Sequence, residues 1–260
     1  MSITTIRVVA GDAGCGKTTW ISQQISTITA KEIKNILYFC PGTGNLPIDQ
    51  IRLIADFPQI EVFKDGQEIE FIQKIMSANA VFMELPSYLE LNAIAQILDN
   101  LSYRKVAVIS PQIKDSEYHM WAEEIVPGAA VNTSIIPTKL WRVPTQGQVI
   151  DEDSLSEFWY EVTNGAYGQV IRAKGIFDVA DGRQIYSDFV NGVRSVDFLE
   201  LDLPRHLEGR PQRFSGVEVL GTDLDEAAMR QTLEDCCLAD AAISQYQEQV
   251  KQILLEDLVE

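Results

Sequence analysis

Eight consecutive residues near the start of the chain have types and spacing that can do chemistry. Gly11-Asp12-Ala13-Gly14-Cys15-Gly16-Lys17-Thr18 fits the pattern GxxxxGK[ST], and Thr19 follows. With no side chains at Gly14 and Gly16, successive backbone N–H groups can converge on phosphate oxygens. Lys17 has the reach and charge for the β- and γ-phosphates, and the Thr18 hydroxyl can ligate Mg2+. A helix starting at this point adds the positive end of its dipole. Gly11, Asp12, Ala13, Gly14, Cys15, Gly16, Lys17, Thr18 and Thr19 are therefore the expected nucleotide contacts. Hydrolysis would further require a carboxylate near Mg2+ and a group that orients water. Glu84 is the candidate, as Mg2+ ligand beside Thr18 and as catalytic residue, because it ends the apolar run AVFM. An acid at the C-terminal edge of a parallel strand lies where open sheets bind ligands. The loop by itself leaves the choice between GTP and ATP open.

The elements that must position these groups alternate between strand and helix. Ile3–Ala10 reads as a buried strand, and the loop then feeds a helix over Thr18–Ala30. Further strands are expected at Asn35–Cys40, Ile60–Phe63, Ala80–Glu84, Lys105–Ser110 and Ala129–Ile136, with helices at Ile48–Ala55, Glu68–Ser77 and Leu89–Leu101. Apolar strands separated by helices predict a parallel sheet covered on both faces. After Pro137 the pattern changes to a strand at Lys139–Val143, a helix at Ser154–Thr163, and strands at Gln169–Val179, Gln184–Val190, Ser195–Leu201 and Arg213–Leu220. A helix over Asp225–Leu238 follows, with Thr222 or Asp223 available as its cap. The expected class is α/β, a P-loop-type parallel sheet followed by a small α+β domain. The expected divisions are a nucleotide domain at 1–137, the α+β domain at 138–241, and a C-terminal helix at 242–260. The tail places Ile243, Tyr246, Val250, Ile253, Leu254 and Leu258 on one helical stripe.

Composition narrows the function further. The chain has 260 residues, with 21 Lys+Arg against 38 Asp+Glu, a formal charge of −17. Without a basic cluster such a chain repels phosphate backbones and anionic lipid surfaces, so no nucleic-acid partner is expected. No apolar run approaches the roughly 20 residues of a membrane span, and the first residues lack the pattern of a secretory signal. The four cysteines Cys15, Cys40, Cys236 and Cys237 do not form a disulfide framework. His119 and His206 lie outside any metal-spaced cluster. A reducing cytoplasm is the expected location.

Several segments together resemble the CobW-type P-loop GTPases. GDAGCGKTT is similar to that family's loop G-[FY]-L-G-[AS]-G-K-T-T, and MELPS, which contains Glu84, stands where the family has its Mg2+ motif E-x-S-G. RAKGIF (Arg172–Phe177) and GTDLDEAAMRQTLEDCCL (Gly221–Leu238) resemble two signatures of the family's C-terminal domain. The resemblance implies GTP with Mg2+ and a nucleotide-gated assembly or metal-delivery role toward a client protein. It also exposes two departures. PGTGNLPIDQ (Pro41–Gln50) resembles the stretch ahead of the family's G-C-x-C-C motif, but the later position reads DGQEIE (Asp65–Glu70), without cysteine. Thiolates give soft-metal sites their affinity, and Glu68 with Glu70 does not replace them, so the family's transition-metal site is not expected here. No N-K-x-D guanine motif occurs either; QIKD (Gln112–Asp115) and VNTS (Val131–Ser134) are the nearest pieces. These losses leave a second reading open, a non-hydrolysing nucleotide-binding scaffold or regulator.

Overall fold

The computed structural model describes residues 4–31, 34–98, 101–132, 137–193 and 196–257, and they form two units, Met1–Thr133 and Ser134–Glu260. In the first unit, six strands make one parallel sheet: β1 (Thr5–Ala10), β2 (Ile36–Phe39), β3 (Glu61–Phe63), β4 (Ala80–Glu84), β5 (Arg104–Ile109) and β6 (Glu124–Pro127), in the order β3-β2-β4-β1-β5-β6. Helices α1 (Lys17–Thr29), α2 (Ile48–Asp56), α3 (Glu68–Ile75), α4 (Ala93–Ile97) and α5 (Glu117–Trp121) connect them. Because strand side chains alternate between faces, the sheet has two cores. Val9, Tyr38, Cys40, Phe82 and Val108 cluster with Ile21 and Ile25 of α1. Val8, Phe39, Val81, Met83 and Ala107 cluster with Phe71 and Ile75 of α3 and Ile94 of α4.

Two expectations for this unit are corrected. The last strand is Glu124–Pro127, whereas residues 129–132 of the expected Ala129–Ile136 form no strand and 133–136 lie outside the described residues. Here β6 pairs Glu124–Pro127 with Val106–Ile109 as an edge strand, where a terminal proline and one exposed face are tolerated. Its apolar content is too short to stand out in the sequence. The expected helix Leu89–Leu101 shrinks to α4, because Leu89 N–H donates to Pro86 O and Ala93 N–H to Glu90 O, which makes turns of the preceding residues. The five-residue α5 was not anticipated. Ile3, where the first expected strand begins, lies outside the described residues.

The second unit is an antiparallel sheet of β7 (Lys139–Pro144), β8 (Gln169–Asp178), β9 (Gln184–Val190), β10 (Val196–Glu200) and β11 (Gly216–Thr222), ordered β10-β9-β8-β11-β7. Helices α6 (Glu152–Thr163) and α7 (Glu226–Asp235) bury Leu155, Phe158, Val162, Met229 and Leu233 against Trp141, Ala173, Phe177, Val217 and Val219. The cap of α7 is Asp225, whose carboxylate accepts from Ala228 N–H at 3.0 Å. Thr222 is still in β11, and Asp223 occupies a left-handed turn at φ 55, so capping falls beyond both expected positions. Likewise β11 starts at Gly216, not Arg213. Arg213 instead ties a loop to the sheet, with Nε 2.6 Å from Asp178 Oδ1 and further bonds to the carbonyls of Pro204 and Gly182.

Helix α8 (Asp240–Asp257) begins two residues before the expected boundary at 242. Its first half is held within the unit, because Ile243 is buried and Gln247 bonds both the N–H and the carbonyl of Gly209. Of the expected stripe, Tyr246, Ile253 and Leu254 are exposed, and Leu258 lies outside the described residues. Among the described residues, no helix is long and apolar enough to cross a membrane.

Asp178 is 2% exposed, so removing its cationic partner strands a buried carboxylate. Arg213→Ala is expected to cost about 3 kcal/mol, read as a lower urea midpoint at unchanged slope, with Arg213→Lys losing less.

Candidate functional site

The loop between β1 and α1 takes its shape from glycines that no other residue could replace cheaply. Gly11, Gly14 and Gly16 have φ of 146, 77 and 99. A Cβ on Gly11 would also lie 2.1 Å from the Val108 carbonyl oxygen of β5, whereas one on Gly16 would meet open space. Lys17 begins α1 and is buried at 7% exposure. Its ammonium donates to Gly11 O at 2.9 Å and Asp12 O at 3.1 Å, folding back over its own loop. The first N–H groups of α1 have no acceptor within the helix, as at any helix start. Together these groups make an electropositive cradle with an adjacent cation.

Strand order brings Glu84 to this cradle. β4 lies beside β1, with Glu84 in register with Val9, and Leu85 N–H donates to Val9 O. Thr18 Oγ1 donates to Glu84 Oε1 at 2.9 Å, and Tyr38 Oη donates to Glu84 Oε2 at 3.0 Å. Glu84 is 5% exposed and Tyr38 fully buried. Burial, reinforced by the Glu84 carboxylate, raises the Tyr38 phenol well above its usual range, so it stays protonated and donates. The pair Thr18 and Glu84 offers hard oxygen donors on a cradle of N–H groups, a donor set that fits Mg2+ with a phosphate better than any soft metal.

Gly128 and Ala129 were not recognised in the sequence as part of this site. The turn after β6 braces the cradle: Ala129 N–H donates to Cys15 O at 2.9 Å, and a Cβ on Gly128 would stand 2.4 Å from that same oxygen. Only a glycine at the end of an apolar run hinted at this. Among the described residues, one carboxylate oxygen of Asp12 is buried without a hydrogen-bond partner. Burial raises its pKa, opposed by Lys17, and Tyr118 of α5 is near enough that Asp12 adds to the burial that raises the phenol. Beyond β2, Asp65 uses one oxygen for Gly42 N–H at 2.8 Å and the other for Gly44 N–H at 2.6 Å. Gln50, fully buried, donates to Cys40 O and Thr43 Oγ1. Within DGQEIE, Glu68 accepts from Gly66 N–H, and Glu70 pairs with Lys74.

The remaining cysteines are placed for packing. Cys15 and Cys40 are both buried. Cys236 donates to Thr232 O, and burial pushes its thiol up to about 11; Cys237 donates to Leu233 O and is raised for the same cause. Neutral thiols are poor metal ligands. Arg172 and Lys174 of β8 pair with Asp188 at 3.2 Å and Glu218 at 3.3 Å, and Arg142 reaches Glu218 from the other side at 2.7 Å. Among the described residues, no group of three or more His, Cys, Asp or Glu is arranged to hold a metal ion.

The first unit is thus a parallel α/β sheet with a GxxxxGK[ST] loop after its central strand. In the second unit, residues 143–237 match the family model described as the cobalamin synthesis protein cobW C-terminal domain. That match shows likeness to this C-terminal domain over residues 143–237. Among solved structures, the chain is similar to the Zn(II)-bound YjiA GTPase from E. coli at 9% identity and a TM-score of 0.31, covering 91% of this chain and 99% of that one. It is also similar to a Zn(II)-bound triple mutant of YjiA GTPase, at 12% identity, the same TM-score of 0.31, and 91% and 99% coverage. Scores this low transfer no activity. A search of curated proteins finds no match.

The glycines separate sterics from backbone strain. Gly11→Ala meets a backbone carbonyl and is expected to cost more than about 3 kcal/mol. Gly16→Ala meets only its left-handed conformation and should cost about 1–2 kcal/mol. Thermal denaturation of the two variants checks the order.

Proposed function

We propose that this chain binds a nucleoside triphosphate, GTP by resemblance, with Mg2+ in the cradle between β1 and α1. It uses that nucleotide as a gate for assembling or supplying a client protein. The observation that carries the reading is the convergence of buried Lys17, the glycine-shaped loop and the Thr18–Glu84 contact at adjacent strand ends. Backbone N–H groups of residues 13–19 would take the α- and β-phosphates, and Lys17 would exchange its two loop carbonyls for phosphate oxygens. Bound Mg2+ would supply neutralisation of the phosphate charge. Thr18 would offer its oxygen to the ion while its O–H goes on donating to Glu84, and the Glu84 carboxylate would help to hold the ion. With these groups, GTP hydrolysis is the reaction we assign, and the cytoplasm is the compartment.

For the client role, assembly is favoured over delivery of a soft metal. Where CobW-type proteins carry cysteines, Asp65 is committed to Gly42 and Gly44, and Glu70 to Lys74. These groups shape a loop and would have to leave it before ligating an ion.

Titration with fluorescent GTP and ATP analogues, with and without Mg2+, tests the reading. GTP should saturate with Mg2+, and Lys17→Ala should weaken binding by about 10–100-fold, the value of charged hydrogen bonds worth about 1.5–3 kcal/mol. Saturation by neither nucleotide would sink it. Phosphate release from GTP, lost in Glu84→Gln, separates hydrolysis from binding alone.

A further inference from the structure

We propose that Tyr38 is the positioning residue for Glu84, setting the carboxylate that serves Mg2+ beside Thr18. The inference rests on the nucleotide–Mg2+ reading of the site and adds a residue that no phosphate-loop motif contains.

Three observations lead to it. First, strand alternation puts Tyr38 and Glu84 on the same side of the sheet. Tyr38 of β2 is in register with Phe82 of β4, and Glu84, two residues beyond Phe82, shares its face. The phenol therefore runs toward the C-terminal edge and reaches a carboxylate one pleat farther along. Second, the hydroxyl has a price as a core group. Tyr38 is fully buried among Val9, Ile21, Ile25 and Phe82, where phenylalanine would fill nearly the same space. A buried hydroxyl is tolerated when it makes a hydrogen bond, and Glu84 Oε2 accepts that bond at 3.0 Å. Third, each oxygen of Glu84 accepts from a different element. Oε1 is held by Thr18 and Oε2 by Tyr38, so rotation of the carboxylate about its terminal torsion would break both bonds.

Such outer partners of metal-ligating carboxylates typically change metal affinity by about 10–100-fold when removed. The prediction is therefore selective. Tyr38→Phe should raise the Mg2+ concentration needed for half-maximal tightening of a fluorescent GTP analogue by about 10-fold. In EDTA, its affinity for the same analogue should stay within about twofold of the unmodified protein. If Tyr38 works through Glu84, adding Tyr38→Phe to a Glu84→Gln chain should change the Mg2+ response no further, as a double-mutant cycle reads it.

Equal weakening with and without Mg2+, or an unchanged Mg2+ response, overturns the positioning role. So does additive loss in the double variant. A Tyr38→Phe chain that loses its near-UV circular dichroism makes Tyr38 a structural residue and overturns it as well. If the unmodified protein binds the analogue under neither condition, the nucleotide reading itself falls and takes this inference with it. Binding with an intact Mg2+ response in Tyr38→Phe leaves the nucleotide reading standing and removes only Tyr38.

Discussion

A buried ammonium needs acceptors, and in the first unit that need shapes the loop on which its candidate site is built. Lys17 finds them in the carbonyls of Gly11 and Asp12, which turns the loop around its own side chain. The loop can close this tightly only where side chains are missing. Val108 O forbids a Cβ at Gly11, and the contact of Gly128 with Cys15 O forbids one after β6. The ends of β1, β5 and β6 thus bear on one short segment, and the parallel order brings β4 with Glu84 to its other side.

The two oxygens of Glu84 carry the same logic outward. One is held by the first turn of α1 and the other by a phenol from β2, so three elements agree on the position of a single carboxylate. A loop beyond β2 is fixed by a different carboxylate, Asp65, which spans the N–H groups of two glycines. Acidic residues in this strongly anionic chain are in these places internal ligands for backbone and hydroxyl donors. The second unit follows a similar rule with other partners. Glu218 lies between Arg142 and Lys174 on one sheet face, and Asp178 is neutralised by Arg213, which also closes a loop through two carbonyls.

Much of this was legible before any coordinates. The motif called for a loop free of side chains at Gly14 and Gly16 and for a helix start, and Lys17–Thr29 supplies that helix. The apolar run before Glu84 became β4 with its expected bounds, Ala80–Glu84. What escaped were features too short or too distant in sequence. β6 has only Ile125 and Val126 as apolar residues before Pro127, and its edge position needs no more. α4 lost its first turn to hydrogen bonds around Pro86 and Glu90 that no periodicity records. Asp225 took the cap of α7 because the strand ran through Thr222 and the turn used Asp223.

The sequence by itself determined the local chemistry: a loop whose glycines and lysine suit phosphate, an acid at a strand end, and the alternation that makes a parallel sheet in one unit and an antiparallel sheet in the other. These are properties of residues within a few positions of each other, where sterics, periodicity and charge act directly. Tertiary structure alone decided which distant groups share a hydrogen bond. Tyr38 and Glu84 are 46 residues apart in sequence, and they meet only because β2 and β4 pair with one particular register. A shift of one residue would turn the phenol to the opposite face. Pairing and register arise from the burial of both sheet faces at once, a balance over the whole unit that no single stretch of sequence contains.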